Sequence, residues 1–239
     1  MLFKLQDLIT GLFLIAGAYF SFYKKKLTLP AAFTGFCSAM LIYCGTGYTG
    51  LSLMAIFFLA GTFATAWGSK TKKHLQRSGD NEQRKSSQVL ANAGTAVLCA
   101  VTALIFPAYE TVMLLLLTAS FASATSDTLS SELGIVYGKR FYNCLSWKKE
   151  ERGLDGVVSI EGTLIGVAGA VLIAFVYAVQ EGFNSSFLFI VLAGIAGNFS
   201  DSVFGAALER KKLLNNDWVN FLSTLFSAII ALLLYTLFL

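Results

Sequence analysis

Residues 111–131 read TVMLLLLTASFASATSDTLSS, and this stretch decides the fold class of the chain. Its first sixteen residues carry no charge, and Asp127 appears before the run ends. A helix of about 20 mostly apolar residues is long enough to cross the hydrocarbon core of a bilayer. A carboxylate inside such a helix is costly and usually marks a functional site. The stretch therefore predicts a membrane-spanning helix that carries a functional acid.

The composition of the whole chain also indicates a membrane protein. Apolar residues make up 56% of its 239 residues and charged residues 13%, against roughly 45–50% and about 25% in soluble domains. The 14 carboxylates and 18 lysines and arginines are too few to cover the surface of a water-soluble globule. These numbers exclude a soluble enzyme, a disordered segment, a coiled coil and a disulfide-linked scaffold. We expect a lipid bilayer as the environment and no nucleic-acid partner.

Apolar runs of membrane-spanning length recur along the chain, and they predict an all-α, polytopic transmembrane helix bundle of about eight spans. We interpret residues 1–239 as a single transmembrane domain. The predicted spans are Leu5–Tyr23, Thr28–Cys44, Thr49–Trp67, Val89–Phe106, Thr111–Ser131, Val157–Val179, Ser186–Leu208 and Trp218–Leu239.

The positive charges are confined to alternate loops. Seventeen of the 18 lysines and arginines lie in the loops after spans 1, 3, 5 and 7, whereas the loops between them carry only Glu110 and Glu181. By the positive-inside rule, the four basic loops are cytoplasmic and both termini lie outside. The loops after spans 3 and 5 are the largest. We therefore expect polar substrates to be handled at the cytoplasmic face of a prokaryotic plasma membrane.

Three acidic clusters lie at the predicted cytoplasmic ends of helices, within residues 126–134, 153–163 and 197–205. In the third cluster, Asn198 and Asp201 share one stripe of a helix with Glu209, which follows the cluster. Small residues dominate the chain just before the first cluster, which lets neighbouring helices approach closely.

The first two clusters leave geometric questions open. On an ideal helix Glu132 points about 140° away from Asp127. It joins the same site only if the helix unwinds near Ser130 or if its partner lies on another helix. In the second cluster, Asp155 occupies the predicted N-cap of span 6, and the flanking glycines leave backbone amides accessible to an anion.

Two interpretations fit these acids. Each carboxylate can pair with a nearby lysine or arginine and only fix helix packing. Alternatively, carboxylates hold Mg²⁺ while lysines and arginines bind phosphate oxygens, which is the arrangement used in phosphoryl and nucleotidyl transfer. Three clusters on the same face of the membrane favour the second interpretation.

The acidic clusters belong to a series of ordered motifs. The series is Gly68-Ser69 with Lys72, QVLAN at 88–92, SDTLSSELG at 126–134 with YGK at 137–139, GLDGVVSIEGT at 153–163, NFSDSVFGA at 198–206 and LNNDWVN at 214–220. Over about residues 60–225, this series resembles an integral membrane family first described as a domain of unknown function. The family includes the plant phytyl-phosphate kinase of the vitamin E pathway. Leu154-Asp155 replaces the Thr-Glu expected in the plant enzyme, which keeps a carboxylate but shortens it.

The resemblance implies a kinase that transfers a phosphoryl group from a nucleoside triphosphate, CTP in particular, to a prenyl monophosphate of the phytyl or geranylgeranyl type. Mg²⁺ is the implied cofactor, and which of Lys70, Lys72 and Lys73 contacts phosphate stays open. The implied catalytic residues are Asp127, Glu132, Asp155 and Asp201; the implied Mg²⁺ ligands are these four and Glu161; the implied nucleotide- and phosphate-binding residues are Lys72, Asn92, Lys139, Asn198, Arg210, Asn216 and Asp217.

Two other functions stay open at this point. A CTP-dependent cytidylyltransferase would join CMP to a lipid phosphate and release pyrophosphate, whereas a kinase releases the nucleoside diphosphate. A transporter of lipids or small anions would use the carboxylates as a proton or cation relay and would consume no nucleotide.

Overall fold

The computed structural model describes residues 5–73 and 83–238, which form the all-α bundle that the sequence predicts. A 3₁₀ turn, Pro107–Tyr109, precedes α5, and a π-helical turn, Gly205–Glu209, follows α7. The helices are α1 Leu5–Tyr23, α2 Leu29–Ala66, α3 Ser69–Lys73, α4 Ser86–Ile105, α5 Glu110–Tyr137, α6 Ile160–Glu181, α7 Ser185–Phe204 and α8 Asn216–Phe238; the strands β1 Tyr142–Asn143 and β2 Val157–Val158 pair in antiparallel fashion.

Seven helices in the described part of the chain are long and apolar enough to cross a membrane, and α2 accounts for two of the eight predicted spans. A straight helix of its 38 residues would extend about 57 Å. Gly47, with φ 64° and ψ −153°, interrupts the helical backbone near the middle. The backbone N–H of Thr28 donates to the Arg84 carbonyl, and the Arg84 guanidinium donates to Thr65. Because one residue contacts both ends of α2, its two halves form a helical hairpin.

The loops that follow α1, α2, α5 and α7 lie together at one end of the bundle, which we call the basic end. A β-bridge joins the loop after α1 to the segment before α4. Ion pairs join the loop after α2 to α5, and the turn after α7 to the α5–α6 loop. At the opposite end, Tyr43 donates to Asp7 near the start of α1, and Phe189 contacts Phe238 near the end of α8. Arg77, one of the cations counted in these loops, lies outside the described residues.

Helix α5 is the centre of the bundle and packs against α2, α4, α6, α7 and α8. Every residue from Leu114 to Ser126 is buried. In α6, a Cβ on Gly166 would lie 3.0 Å from atoms of Ser126 and Ser130 in α5. Helices in a bilayer associate through close packing rather than the hydrophobic effect. The small residues of α5 therefore set the separation of its neighbours, as the sequence predicts.

The α5–α6 loop folds over the basic end and is held there by the turn after α7. Gly156 adopts a positive φ of 69°, and a Cβ on it would collide with Ala206 in the π-helical turn. Arg210 donates its Nε–H to the carbonyl oxygen of Asp155 at 2.6 Å and forms an ion pair with Glu150 at 2.7 Å. These contacts fix the loop against the end of α7.

We predict that the packing between α5 and α6 fails when Gly166 is enlarged. In Gly166→Val the new side chain overlaps Ser126, Ser130 and Asn198, and such overpacking costs about 1–3 kcal/mol. The thermal unfolding temperature of the detergent-solubilised protein should fall. Gly17→Val is the matched control, because nothing lies within 4 Å of a Cβ built on Gly17. Equal unfolding temperatures for the two variants would contradict the packing argument.

We also predict that the α5–α6 loop loosens in acid. Hydrogen bonding to Arg210 lowers the pKa of Glu150. The ion pair therefore stabilises the loop fully above the ordinary pKa of a glutamate, and this contribution is lost as the pH falls through the lowered pKa. Hydrogen-exchange protection of amides 142–158 should drop over that range. Glu150→Gln should lose the protection already at neutral pH, whereas Glu151→Gln, at the exposed neighbour, should keep it.

Candidate active site

A cavity of about 710 Å³ lies at the basic end of the bundle. Helices α2 and α4 to α8 and the α5–α6 loop contribute to its walls, which are mostly apolar. Seven of the predicted site residues line it: Asn92, Asp127, Glu132, Asp155, Asn198, Asp201 and Asn216.

Asp127 of α5 and Asp201 of α7 form the centre of the site. Their carboxyl groups lie within hydrogen-bonding distance of each other. Asp201 Oδ2 also accepts a hydrogen bond of 2.9 Å from the hydroxyl of Ser223 in α8. Two carboxylates this close repel each other when both are ionised. The pair therefore needs either a shared proton or a cation between its oxygens.

Asn198 fixes α7 to α5 beside this pair. Its Nδ2 donates to Ser126 Oγ at 3.0 Å, and its Oδ1 accepts from Ser130 Oγ at 3.2 Å. The missing side chain of Gly166 leaves the space that the Asn198 amide occupies. The amide is thus held in a single orientation at the cavity wall.

Glu132 lines the cavity although α5 has no break. Its partner, Lys72, lies on another element. The helix is continuous from Glu110 to Tyr137, so the first of the two sequence-based alternatives does not apply. Lys72 Nζ lies 2.5 Å from Glu132 Oε2 and donates to the Ala64 carbonyl at 2.7 Å. Thr65 donates to the other carboxylate oxygen at 3.1 Å. Lys72 is 3% exposed and does not line the cavity, so its charge is directed at Glu132.

The sequence predicts Asp155 at the N-cap of α6. In the structure, Asp155 lies in the α5–α6 loop instead. The N-cap is Ser159, whose Oγ accepts from the Gly162 amide. Strand β2 separates Asp155 from the helix, because its pairing with β1 extends the backbone there. The Asp155 carboxylate lines the cavity and lies close enough to interact electrostatically with Asp201. Arg210 lies in a smaller adjoining recess that also contains Asp155.

Besides Lys72 and Arg210, three further predicted residues lie outside the cavity: Lys139, Glu161 and Asp217. Glu161 Oε2 accepts a hydrogen bond of 3.3 Å from the backbone N–H of Lys139, whose side chain is exposed. Asp217 lies in the first turn of α8. None of the three lines the cavity, although Asn216 and Asn220 on the same turns of α8 do.

Sequence reasoning gave no role to Arg84, which was counted only as a loop cation, although it lines the cavity. Gln88 lies four residues after it and Asn92 eight residues after it, and both also line the cavity. This repeat of four is the spacing of residues on one face of a helix. This spacing is visible in the sequence, but α4 begins only at Ser86, so Arg84 lies in the segment before the helix.

The donor set fits a magnesium ion at the acid pair. Among the described residues, no three acidic, histidine or cysteine side chains form a metal site of their own. The five acids named as Mg²⁺ ligands therefore do not gather into one cluster. Asp127 and Asp201 supply two carboxylates, and Mg²⁺ is commonly held by one or two carboxylates with water and substrate phosphates as its other ligands.

Comparison with known proteins identifies relatives over most of the chain. The family model for integral membrane protein DUF92 matches residues 12–228. An uncharacterised membrane protein of Methanocaldococcus jannaschii is 37% identical over 82% of this chain and 79% of its own. An uncharacterised membrane protein of Synechocystis is 32% identical over 95% of this chain and 90% of its own. The chloroplastic protein VTE6 of Arabidopsis thaliana is 31% identical over 83% of this chain and 62% of its own.

No solved structure matches this chain. The family match spans nearly the whole described bundle and includes every residue that lines the cavity. It confirms the resemblance inferred from the ordered motifs. The chain therefore belongs to the DUF92 family of integral membrane proteins, together with the plant protein VTE6.

Proposed function

We propose that this protein is a membrane-embedded prenyl-phosphate kinase that uses a nucleoside triphosphate, CTP in particular. One observation carries the proposal: the carboxyl groups of Asp127 and Asp201 lie side by side in a mostly apolar cavity at the basic end. A prenyl monophosphate has an apolar chain and an anionic head, and this cavity offers surfaces suited to both. The kinship with VTE6 and the motif resemblance support the prenyl acceptor.

In the proposed reaction, an oxygen of the prenyl monophosphate attacks the γ-phosphorus of the nucleoside triphosphate. A new P–O bond forms, and the bond from the γ-phosphorus to the β,γ-bridging oxygen breaks. The electron pair leaves with the nucleoside diphosphate, and the lipid product is a prenyl diphosphate. Because the attacking oxygen is already anionic, no residue has to remove a proton. Catalysis then depends on positioning and on stabilisation of charge.

The lining residues divide these tasks. Asp127 and Asp201 would hold Mg²⁺, which would neutralise charge on the reacting phosphates. Asp155 adds negative potential beside Asp201, and the fixed amide of Asn198 keeps α5 and α7 in register. Asn92 and Asn216 lie on other walls of the cavity, where their amides would bind phosphate or nucleotide groups. One N–H of the Asn92 amide donates to the Gln88 carbonyl at 3.0 Å, so its second N–H and its oxygen would serve a ligand. The proposal assigns no direct contact to Lys139, Glu161 or Asp217.

The first prediction is the identity of the products. Purified protein in detergent, given Mg²⁺, a nucleoside triphosphate and a panel of prenyl monophosphates, should yield a prenyl diphosphate and the nucleoside diphosphate, identified by mass. A nucleotidyl-lipid with pyrophosphate would replace the kinase by a cytidylyltransferase. Substrate movement across sealed vesicles without nucleotide consumption would replace it by a transporter.

The second prediction concerns the acid pair. Asp127→Asn and Asp201→Asn each remove one metal-binding charge, and turnover should fall by about 100-fold or more, the scale on which loss of one key charge-stabilising group acts. Membrane insertion and helix content, measured by circular dichroism, should stay unchanged. Glu110→Gln is the matched control, because Glu110 is an exposed carboxylate at the other end of the same helix. Normal turnover in Asp127→Asn would remove that residue from the site.

A further inference from the structure

The charges that line the cavity are strongly unbalanced. Arg84 is the one cation among the described residues of its lining, and five acids line the same walls. The acids are Asp127, Glu132, Asp155, Asp201 and Glu209. A cavity of this composition repels an anion unless positive charge is present within it. Any phosphate that binds there must therefore be attracted by Arg84, by a bound metal ion or by both.

The neighbouring cation, Lys72, is already engaged. Its ammonium group carries three donors, and it contacts the Ala64 carbonyl, the Thr65 carbonyl at 3.4 Å and Glu132. The side chain is buried away from the cavity. Lys72 thus neutralises Glu132 and offers no donor to a substrate.

Arg84, in contrast, is fixed by its main chain, and within the described part of the chain one hydrogen bond engages its guanidinium. Its N–H donates to the Lys26 carbonyl and its carbonyl accepts from the Thr28 N–H, both at 3.1 Å. The guanidinium has five N–H donors, and its hydrogen bond within the described residues is from Nη2 to Thr65 Oγ1 at 3.3 Å. Burial lowers the pKa of Arg84 while Glu132 raises it, and an arginine remains charged at any physiological pH.

The residues that follow Arg84 extend its donor surface into the cavity. Gln88 Oε1 accepts a hydrogen bond of 2.9 Å from the Lys85 N–H, and within residues 5–73 and 83–238 its amino group has no hydrogen-bond partner. Asn92, one turn further along α4, also lines the cavity. A guanidinium followed by two amides provides hydrogen-bond donors along one wall, whereas the walls formed by α5 and α7 carry the acid pair.

We propose that the Arg84 guanidinium binds a phosphate group of the substrate in this cavity. The proposal rests on the proposed function for the presence of a phosphate substrate, and it names the residue that binds that phosphate directly. A planar guanidinium can donate two parallel hydrogen bonds to one phosphate, which a lysine ammonium cannot reproduce. The contact would complement a metal ion held by Asp127 and Asp201 at the same phosphates.

The test measures binding and turnover separately on detergent-purified protein. The probes are CTP with Mg²⁺ and geranylgeranyl monophosphate, each titrated by calorimetry, followed by steady-state kinetics. Arg84→Met should weaken binding of at least one probe by about 100-fold, and Arg84→Lys by about 10-fold because the paired hydrogen bonds are lost. Since the main chain of Arg84 makes the contacts to Lys26 and Thr28, both variants should keep their fold, checked by unfolding temperature.

Two controls separate phosphate binding from structural support. Thr65→Val removes the hydrogen-bond partner of Arg84 and the Thr65 hydrogen bond to Glu132, but it leaves the guanidinium and the Lys72–Glu132 ion pair, so it should retain the affinity. Arg152→Met removes an exposed loop cation that does not line the cavity, so it should also retain the affinity. An equal loss in Thr65→Val and Arg84→Met would show that Arg84 only supports the α2 hairpin and would overturn the proposal.

The remaining outcomes distinguish this proposal from the kinase proposal. Wild-type affinity for both probes in Arg84→Met overturns the role of Arg84, while turnover by the wild type would still support the kinase. Arg84-dependent binding without nucleotide-dependent turnover supports Arg84 and overturns the kinase. If the wild type binds neither probe, both proposals are wrong.

Discussion

The close approach of helices around α5 is the constraint on which the rest of this structure depends. Glycine, alanine and serine face α5 from α6, α7 and α8, and a Cβ on Gly197 would overlap Ser123 and Ser227. The Ser227 hydroxyl lies 2.8 Å from the carbonyls of Ala119 and Ala193, so a single side chain joins three helices. Bulky residues at these positions would separate α5 from α7. The two central acids would then no longer be neighbours.

The distribution of charge follows from that packing. One acid of α5, Glu132, is neutralised by Lys72, whose ammonium group also binds carbonyls at the negative end of α2. Asp127, on the same helix, has a second acid as its neighbour and no lysine or arginine partner among the described residues. The first arrangement stabilises the fold by itself, while the second is stable only with a proton or a cation. Within five residues the same helix therefore carries one acid that is paired with a lysine and one whose neighbour is another acid.

Features that depend on one helix at a time could be predicted from the sequence. Hydropathy located the spans, including the two that share α2, and charge alternation predicted which loops meet at one end. Features that depend on pairs of elements could not. No helical pattern indicates that Lys72 turns back to Glu132, or that the β1–β2 pairing moves Asp155 away from the start of α6. Arg84 lies before the first turn of α4, so its four-residue spacing to Gln88 and Asn92 does not by itself show that it faces the same cavity.

The hairpin turn at Gly47 has a consequence for how the protein enters its membrane. A connection of one residue without charge requires no polar segment to cross the bilayer, so both halves of α2 can insert together as one unit. Arg84, which later contacts both ends of that unit, is synthesised after it. The contacts that join the two ends of the hairpin can therefore form only after both of its halves have been synthesised.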